Sequence, residues 1–321
     1  MLLFSTKKNL KILSEITDWL GDGTFKILPL LFFQLYTILV IINNFVLPLA
    51  FGLLPNKKQK TYIKFFNMIY KRINGYPKSI NVDFERAVFN AVSKVFEANV
   101  DIYGSYFHLS QNFFKHVRNM GFYIPYQTNA FFKKCFLYTQ SLAFLPPADV
   151  VDGFLKVKLF CSKNCPEFMK FLDYVENYYI GEPDEKTKIR KKPYFPILTW
   201  NLHHRILNNK PRTNNKVERF NQKIQKDNGD HHLSTINMIE ALRLEQVHTE
   251  SIIAKIEIGQ EQRPNKLQID LDKSYLNVLK QYKSSDMFSF MGQIGNIISI
   301  FNEKNSKKHK NVLASSSSDD D

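Results

Sequence analysis

Residues 35–54 read LYTILVIINNFVLPLAFGLL, two apolar runs separated only by Asn43-Asn44. Both runs are rich in β-branched and aromatic side chains, and Pro48, Gly52 and Pro55 cut the second before it could become a long helix. They predict two buried strands, 35–42 and 45–54, joined by a tight hairpin at the Asn pair. No charged residue lies between Lys26 and Lys57, so a hydropathy window flags the whole stretch as a membrane span. Strand-sized pieces bounded by turn residues instead fit a sheet covered on both faces. A membrane anchor through 27–55 is the competing reading; the expectation is no membrane.

Upstream, residues 16–27 (ITDWLGDGTFKI) form a third strand of the meander, after a lead-in of residues 1–12. Downstream, Tyr62, Phe65, Phe66 and Ile69 repeat at helical spacing within 59–73. A strand at 79–84, a helix from Glu85 to Phe96 and a strand at 99–107 follow. Three strands, helix, strand, helix, strand is the succession of an RNase H-like α/β domain, a mixed sheet with flanking helices. In that arrangement the first and fourth strands are neighbours, which brings Asp22 beside Asp83.

From His108 to about Tyr179 the pattern is helical and aromatic, and 181–193 is a polar loop. The predicted organisation is a core over 13–120, an all-helical insertion over 121–210, closing helices over 211–262 and an extension over 263–321. The long helix at 234–257 has Ser234 as its N-cap, and Glu245 on it reads as a solvated surface acid. The Lys-, Ser- and Asp-rich end is expected to be disordered from about 306.

Composition narrows the function classes. The 321 residues are 44% hydrophobic and carry a formal charge of +14, with an isoelectric point near 9.4. One large domain or two smaller ones can form, and the excess of cations fits a polyanionic partner or a plainly soluble surface. Cys135, Cys161 and Cys165 are an odd set unlike a secreted disulfide framework, so a reducing compartment is expected. Residues 1–8 lack a signal peptide's basic start and apolar core.

The chemistry rests on acids. Hard divalent ions take carboxylate oxygens, and a pair of ions can activate a nucleophile and neutralise a pentacoordinate phosphorus. Asp22 before Gly23 also reads as a turn former, Asp83 as an N-cap, and Glu218 as a first-turn helix acid. Cys161 and Cys165 with His203 and His204 could be drawn as a zinc site, although the adjacent histidines fit ordinary packing better. His231 and His232 read as surface residues.

Several segments together carry a resemblance. They are Asp22-Gly23-Thr24-Phe25, 33–38 (FQLYTI), 47–55 (LPLAFGLLP), Thr61-Tyr62, 83–87 (DFERA), 104–108 (GSYFH), 142–147 (LAFLPP), Trp200-Asn201 and 212–221 (RTNNKVERFN). In sequence, order and spacing, over about 13–250, they resemble the transposase domain of Mutator-like elements. The resemblance implies an RNase H-like fold with the insertion between the second and third acids, and a catalytic, metal-binding triad of Asp22, Asp83 and Glu218. It implies two Mg²⁺ or Mn²⁺ ions, cleavage and strand transfer on transposon ends and target DNA, a homo-oligomeric active complex and a nuclear location.

Family members usually carry Cys-x-x-His where this chain has Ser105 through His108, and serine is a poor metal ligand. Ser105 and His108 are accessory candidates. Arg190, Lys191, Lys192, Arg212, Lys216 and Arg219 are candidate phosphate contacts; residues 190–193 also read as a solvated loop or a nuclear-targeting cluster. No zinc finger precedes the first strand, so a truncated copy is expected. The alternative is a transposase-derived DNA-binding or regulatory protein without catalysis.

Overall fold

The computed structural model describes residues 1–316 without 26–27, 98, 209, 211–214, 229–232 and 264; for 215–218, 228 and 304–316 only the backbone is described. Two compact units emerge, Met1–Leu109 with Pro211–Pro264, and Ser110–Lys210 with Asn265–Asp321.

The first unit is α/β. Its strands are β1 (Leu2–Phe4), β2 (Asp18–Thr24), β3 (Gln34–Ile42), β4 (Phe45–Leu54), β5 (Ser79–Val82) and β6 (Asp101–Gly104). They form one mixed sheet in the order β1-β4-β3-β2-β5-β6. The β3–β4 hairpin turns at Asn43 and Asn44, whose φ angles of 49° and 66° match the twist that a two-residue hairpin requires. A bulge between Ile38 and Leu39 shifts the register around Pro48, a residue with no N–H to give to a ladder. The Leu49 carbonyl there accepts hydrogen bonds from Ser5 Oγ at 2.7 Å and Asn9 Nδ2 at 3.2 Å.

Helices α1 (Lys7–Glu15), α2 (Gln59–Tyr70) and α3 (Arg86–Val95) follow β1, β4 and β5. Leu13, Tyr62, Phe65, Phe66, Val88 and Val92 pack against Trp19, Tyr36, Ile38 and Val40 on one face of the sheet. Alternate residues of the same strands, Leu20, Leu35, Leu39, Phe51 and Leu53, meet Phe220, Ile224, Met238 and Leu242 on the other. Burial on both faces is why these strands read as unbroken apolar runs rather than alternating ones. Among the described residues no helix is long and apolar enough to cross a membrane.

Helix α4 (Tyr106–Asn119) carries the chain into the second unit, with α5 (Tyr123–Thr128), α6 (Ala130–Ser141), α7 (Val150–Asn164), α8 (Met169–Val175), a π turn over Glu176–Ile180, α9 (Ile197–Trp200) and α10 (His203–Leu207). Then come α11 (Asn215–Asn228) and α12 (Thr235–Glu257) of the first unit, and α13 (Lys266–Lys280) and α14 (Met287–Ser316) of the second. Ser234 caps α12 by accepting from the Asn237 N–H.

Two expectations change. Residues 1–12 hold a strand and most of a helix rather than a bare lead-in. The segment after 262 forms two helices that belong to the second unit: Ser141 Oγ donates to the Met291 carbonyl at 3.1 Å, and Tyr282 donates to Asp149 at 2.6 Å. The backbone is helical as far as Ser316, and 317–321 lie outside the described residues. Polar composition at the end of the chain hid the apolar first half of α14, where Phe290, Met291, Ile294 and Ile298 are buried.

Candidate metal centre

β2 and β5 run parallel with Leu20 opposite Asn81. The same register, two residues on, sets Asp22 opposite Asp83, which directly follows β5. β6 lies parallel on the far side of β5, with Gly104 opposite Val82, and α4 begins two residues later. From its first turn His108 Nε2 comes within 2.7 Å of Asp83 Oδ1. One ligand atom each from Asp22, Asp83 and His108 lies within 4.8 Å of the other two. Asp22 is 4% exposed, whereas the Asp83 and His108 side chains keep 32% and 21% of their surface.

Asp22 is fixed on both oxygens. The Gly23 N–H donates to Oδ1 at 2.7 Å, and Asn221 of α11 donates through Nδ2 to Oδ2 at 2.8 Å. Glycine flanks Asp22 because side chains of β3 cross that face of the strand. A Cβ at Gly21 would lie 2.7 Å from the Tyr36 hydroxyl, and one at Gly23 would lie 2.7 Å from Gln34 Oε1. Burial, then the charges of Tyr62, Asp83, Asp22 and Glu85, push the Tyr36 phenol well above its ordinary range, so it stays protonated.

Two carboxylates so close in a partly desolvated site repel, and a cation removes the repulsion. The donor set fits one: two carboxylate oxygens and an imidazole nitrogen, close enough to share an ion at contacts of about 2.1 Å after small side-chain rotations. The group could hold a metal ion.

No protein-family model matches the chain, and no curated protein matches it.

The remaining sequence candidates divide. Asp22 lies inside β2, not in a turn, and Glu85 rather than Asp83 occupies the N-cap position of α3. Ser105 is fully buried at the end of β6, its N–H bonded to the Val82 carbonyl at 3.0 Å. Glu218 and Lys216 lie on α11, but their side chains are outside the described residues, as are Arg212, His231 and His232 altogether. Lys191, Lys192 and Arg219 are exposed. Arg190 is engaged internally: Nη1 is 2.8 Å from Glu176 Oε1 and also reaches the Gly181 carbonyl. Burial works against the Glu176 charge, but Lys158 and Arg190 outweigh it and hold that carboxyl below its ordinary range.

Cys135, Cys161 and Cys165 are free and buried, and His203 Nδ1 lies 2.9 Å from the Phe144 carbonyl. Among the described residues the Asp22, Asp83 and His108 group is the sole convergence of three such ligands, so the cysteine–histidine site is not formed. Glu245 is corrected outright. It is 6% exposed and pairs with Lys223 of α11 at 2.9 Å, because α12 lies against both the sheet and α11.

Sequence reasoning missed Asn221. A signal for it existed: it stands three residues after Glu218, one turn along the same helix face.

Proposed function

We propose that this chain is the catalytic part of a DDE-type transposase, a metal-dependent DNA nuclease and strand-transferase on an RNase H-like fold. The observation that carries the reading is the placement of Asp22 and Asp83 at matching ends of adjacent parallel strands, with His108 beside them. The strand order, an antiparallel meander extended on one side by two parallel strands, supports the RNase H-like assignment.

Glu218 is assigned as the third acid. α11 approaches β2 where Asn221 touches Asp22, and Glu218 precedes Asn221 by one turn. Asp22, Asp83 and Glu218 would hold Mg²⁺ or Mn²⁺, two ions in all, through carboxylate oxygens, and His108 would complete the set from the Asp83 side. Divalent ions so held supply a reactive oxygen nucleophile and neutralise charge on the phosphorus. Asn221 and the Gly23 N–H orient the Asp22 carboxylate, and His108 orients Asp83. Positioning of this kind matters because a preorganised charge stabilises the transition state without reorganising during the reaction. Exposed Lys191, Lys192 and Arg219 serve as phosphate contacts. On this reading the protein acts in the nucleus, with transposon ends and target DNA as its partners in a homo-oligomeric complex.

Nicking of supercoiled plasmid with Mg²⁺ or Mn²⁺ tests this reading. Wild type is expected to nick, and Asp22→Asn and Asp83→Asn to fall at least about a hundredfold. Variants that nick as well as wild type would sink the assignment.

A further inference from the structure

Helix α12 is apolar on two opposite sides. Met238, Leu242 and Ile253 are buried on its inner side, together with Glu245 and Thr249. On the outer side Ile236, Leu244, Val247 and the C-cap residue Ile258 are 73%, 71%, 66% and 73% exposed. With exposed Ala254 they follow one another at intervals of eight, three, seven and four residues, so they form a single stripe along the helix. Exposed apolar residues scattered singly are ordinary, whereas a continuous row on a helix that is already buried on its other side marks an interaction surface.

The stripe is complementary to itself when reversed about Val247. Ile236 and Ile258 stand equally far from Val247 on either side, as do Glu240 and Ala254, with Lys255 next to Ala254. Arg243 and Glu250 stand one turn away from Val247 on opposite sides. Against an antiparallel second copy, Ile236 meets Ile258, Glu240 meets Lys255 and Arg243 meets Glu250, and like charges do not fall at matching positions. A parallel copy would set each of those four charges against itself. All four are exposed. Glu240 pairs with Arg243 on its own helix, and Glu250 accepts from Gln246 at 3.1 Å; exposed contacts one turn apart add little and exchange readily for contacts across an interface.

We propose that α12 is a dimerisation helix, and that two copies of this chain pair antiparallel through the stripe about a twofold axis at Val247. A twofold contact uses the same patch on both copies, which is the self-complementarity this sequence shows. The 23 residues of α12 give a contact about 34 Å long. One helix on each side makes a small interface, so the dimer is of the kind that dissociates at micromolar concentration rather than an obligate one. The inference supplies a surface and a geometry for self-association, and it stands whether or not the chain cuts DNA.

Sedimentation velocity of the full chain without DNA, from about 1 to about 100 μM, tests it. Wild type is expected to pass from monomer to dimer over that range. Leu244→Glu together with Val247→Glu is expected to weaken the dimer by about a hundredfold or more. The same variant is expected to melt within about 2 °C of wild type, because both side chains are exposed in the monomer. Glu240→Lys is expected to weaken the dimer by about tenfold, and adding Lys255→Glu to the same chain to restore it. Positions 240 and 255 lie roughly 22 Å apart along one helix, so only a contact between copies can produce that rescue. A wild type that stays monomeric throughout overturns the proposal, whatever else then covers the stripe, DNA included. A dimer unmoved by the paired glutamates, or a Glu240→Lys defect that Lys255→Glu does not repair, overturns it as well. Nicking by the Asp22 and Asp83 variants is a separate readout, so a failed metal centre would leave the sedimentation result in place, and the reverse also holds.

Discussion

Asn221→Asp turns the amide that serves Asp22 into one more carboxylate. The Nδ2 donor lies 2.8 Å from Asp22 Oδ2, and the two residues are 8% and 4% exposed. Two unit charges about 3–4 Å apart repel by roughly 4–5 kcal/mol at an effective dielectric near 20. Loss of a hydrogen bond to a charged acceptor adds about 1.5–3 kcal/mol. The total is capped, because at about pH 7.5 one carboxyl can take up a proton for roughly 5 kcal/mol. We expect a loss of about 4 kcal/mol without divalent ions, or roughly 8–16 °C in Tm for a unit of this size. A cation between the carboxylates reverses the sign of that interaction. Thermal melts in EDTA and in saturating Mn²⁺ are expected to show a larger Mn²⁺ stabilisation for the variant than for wild type. If the EDTA melt falls by less than about 3 °C, or Mn²⁺ shifts both proteins equally, Asn221 does not hold α11 to Asp22 and the site is wrongly built.

Glu218→Gln is expected to lower plasmid nicking by at least about a hundredfold while duplex affinity stays level or rises, because a negative charge leaves the phosphate path. The matched control is Glu240→Gln, at an exposed acid paired with Arg243; equal nicking by the two variants would move the third acid elsewhere. Ser105→Cys is expected to raise metal-dependent nicking or the melting temperature by restoring the Cys-x-x-His pair, and no change in either removes position 105 from the working site. Arg190→Ala is expected to cost stability by about 1–3 kcal/mol, discounted from a fully buried pair because the arginine keeps part of its surface. The folded Glu176 carboxyl is depressed, so its pairing stabilises above the unfolded carboxylate range and is lost as pH falls through the folded value. The melting difference from wild type should therefore shrink on acidification; a difference that persists in acid, or a lowered salt slope of DNA binding, would make Arg190 a phosphate contact instead.

Much of the fold was legible locally. Hydrophobic patterning and turn chemistry are properties of a few adjacent residues, so the apolar runs, the Asn43-Asn44 hairpin, the 59–73 helix and the Ser234 cap could be read from the sequence. Asp22 and Asp83 could be singled out because each closes or interrupts a strand-like run with an acid. The buried Glu245 could not be read this way, since whether an acid on a helix meets water or Lys223 is set by a second helix more than twenty positions away in sequence. The same reason hid Asn221, whose meaning comes from contact with a residue 199 positions earlier.

By itself, then, the sequence determined the type and order of the elements in the sheet unit and the acids worth watching, because periodicity is a short-range signal. Tertiary structure decided what those residues face. Parallel register across β2, β5 and β6 gathered Asp22, Asp83 and His108, and packing assigned residues after 264 to the helical unit. It also turned Arg190 inward to Glu176. Those outcomes depend on long-range pairing, in which backbone hydrogen bonds and buried apolar area fix positions that no window of adjacent residues encodes.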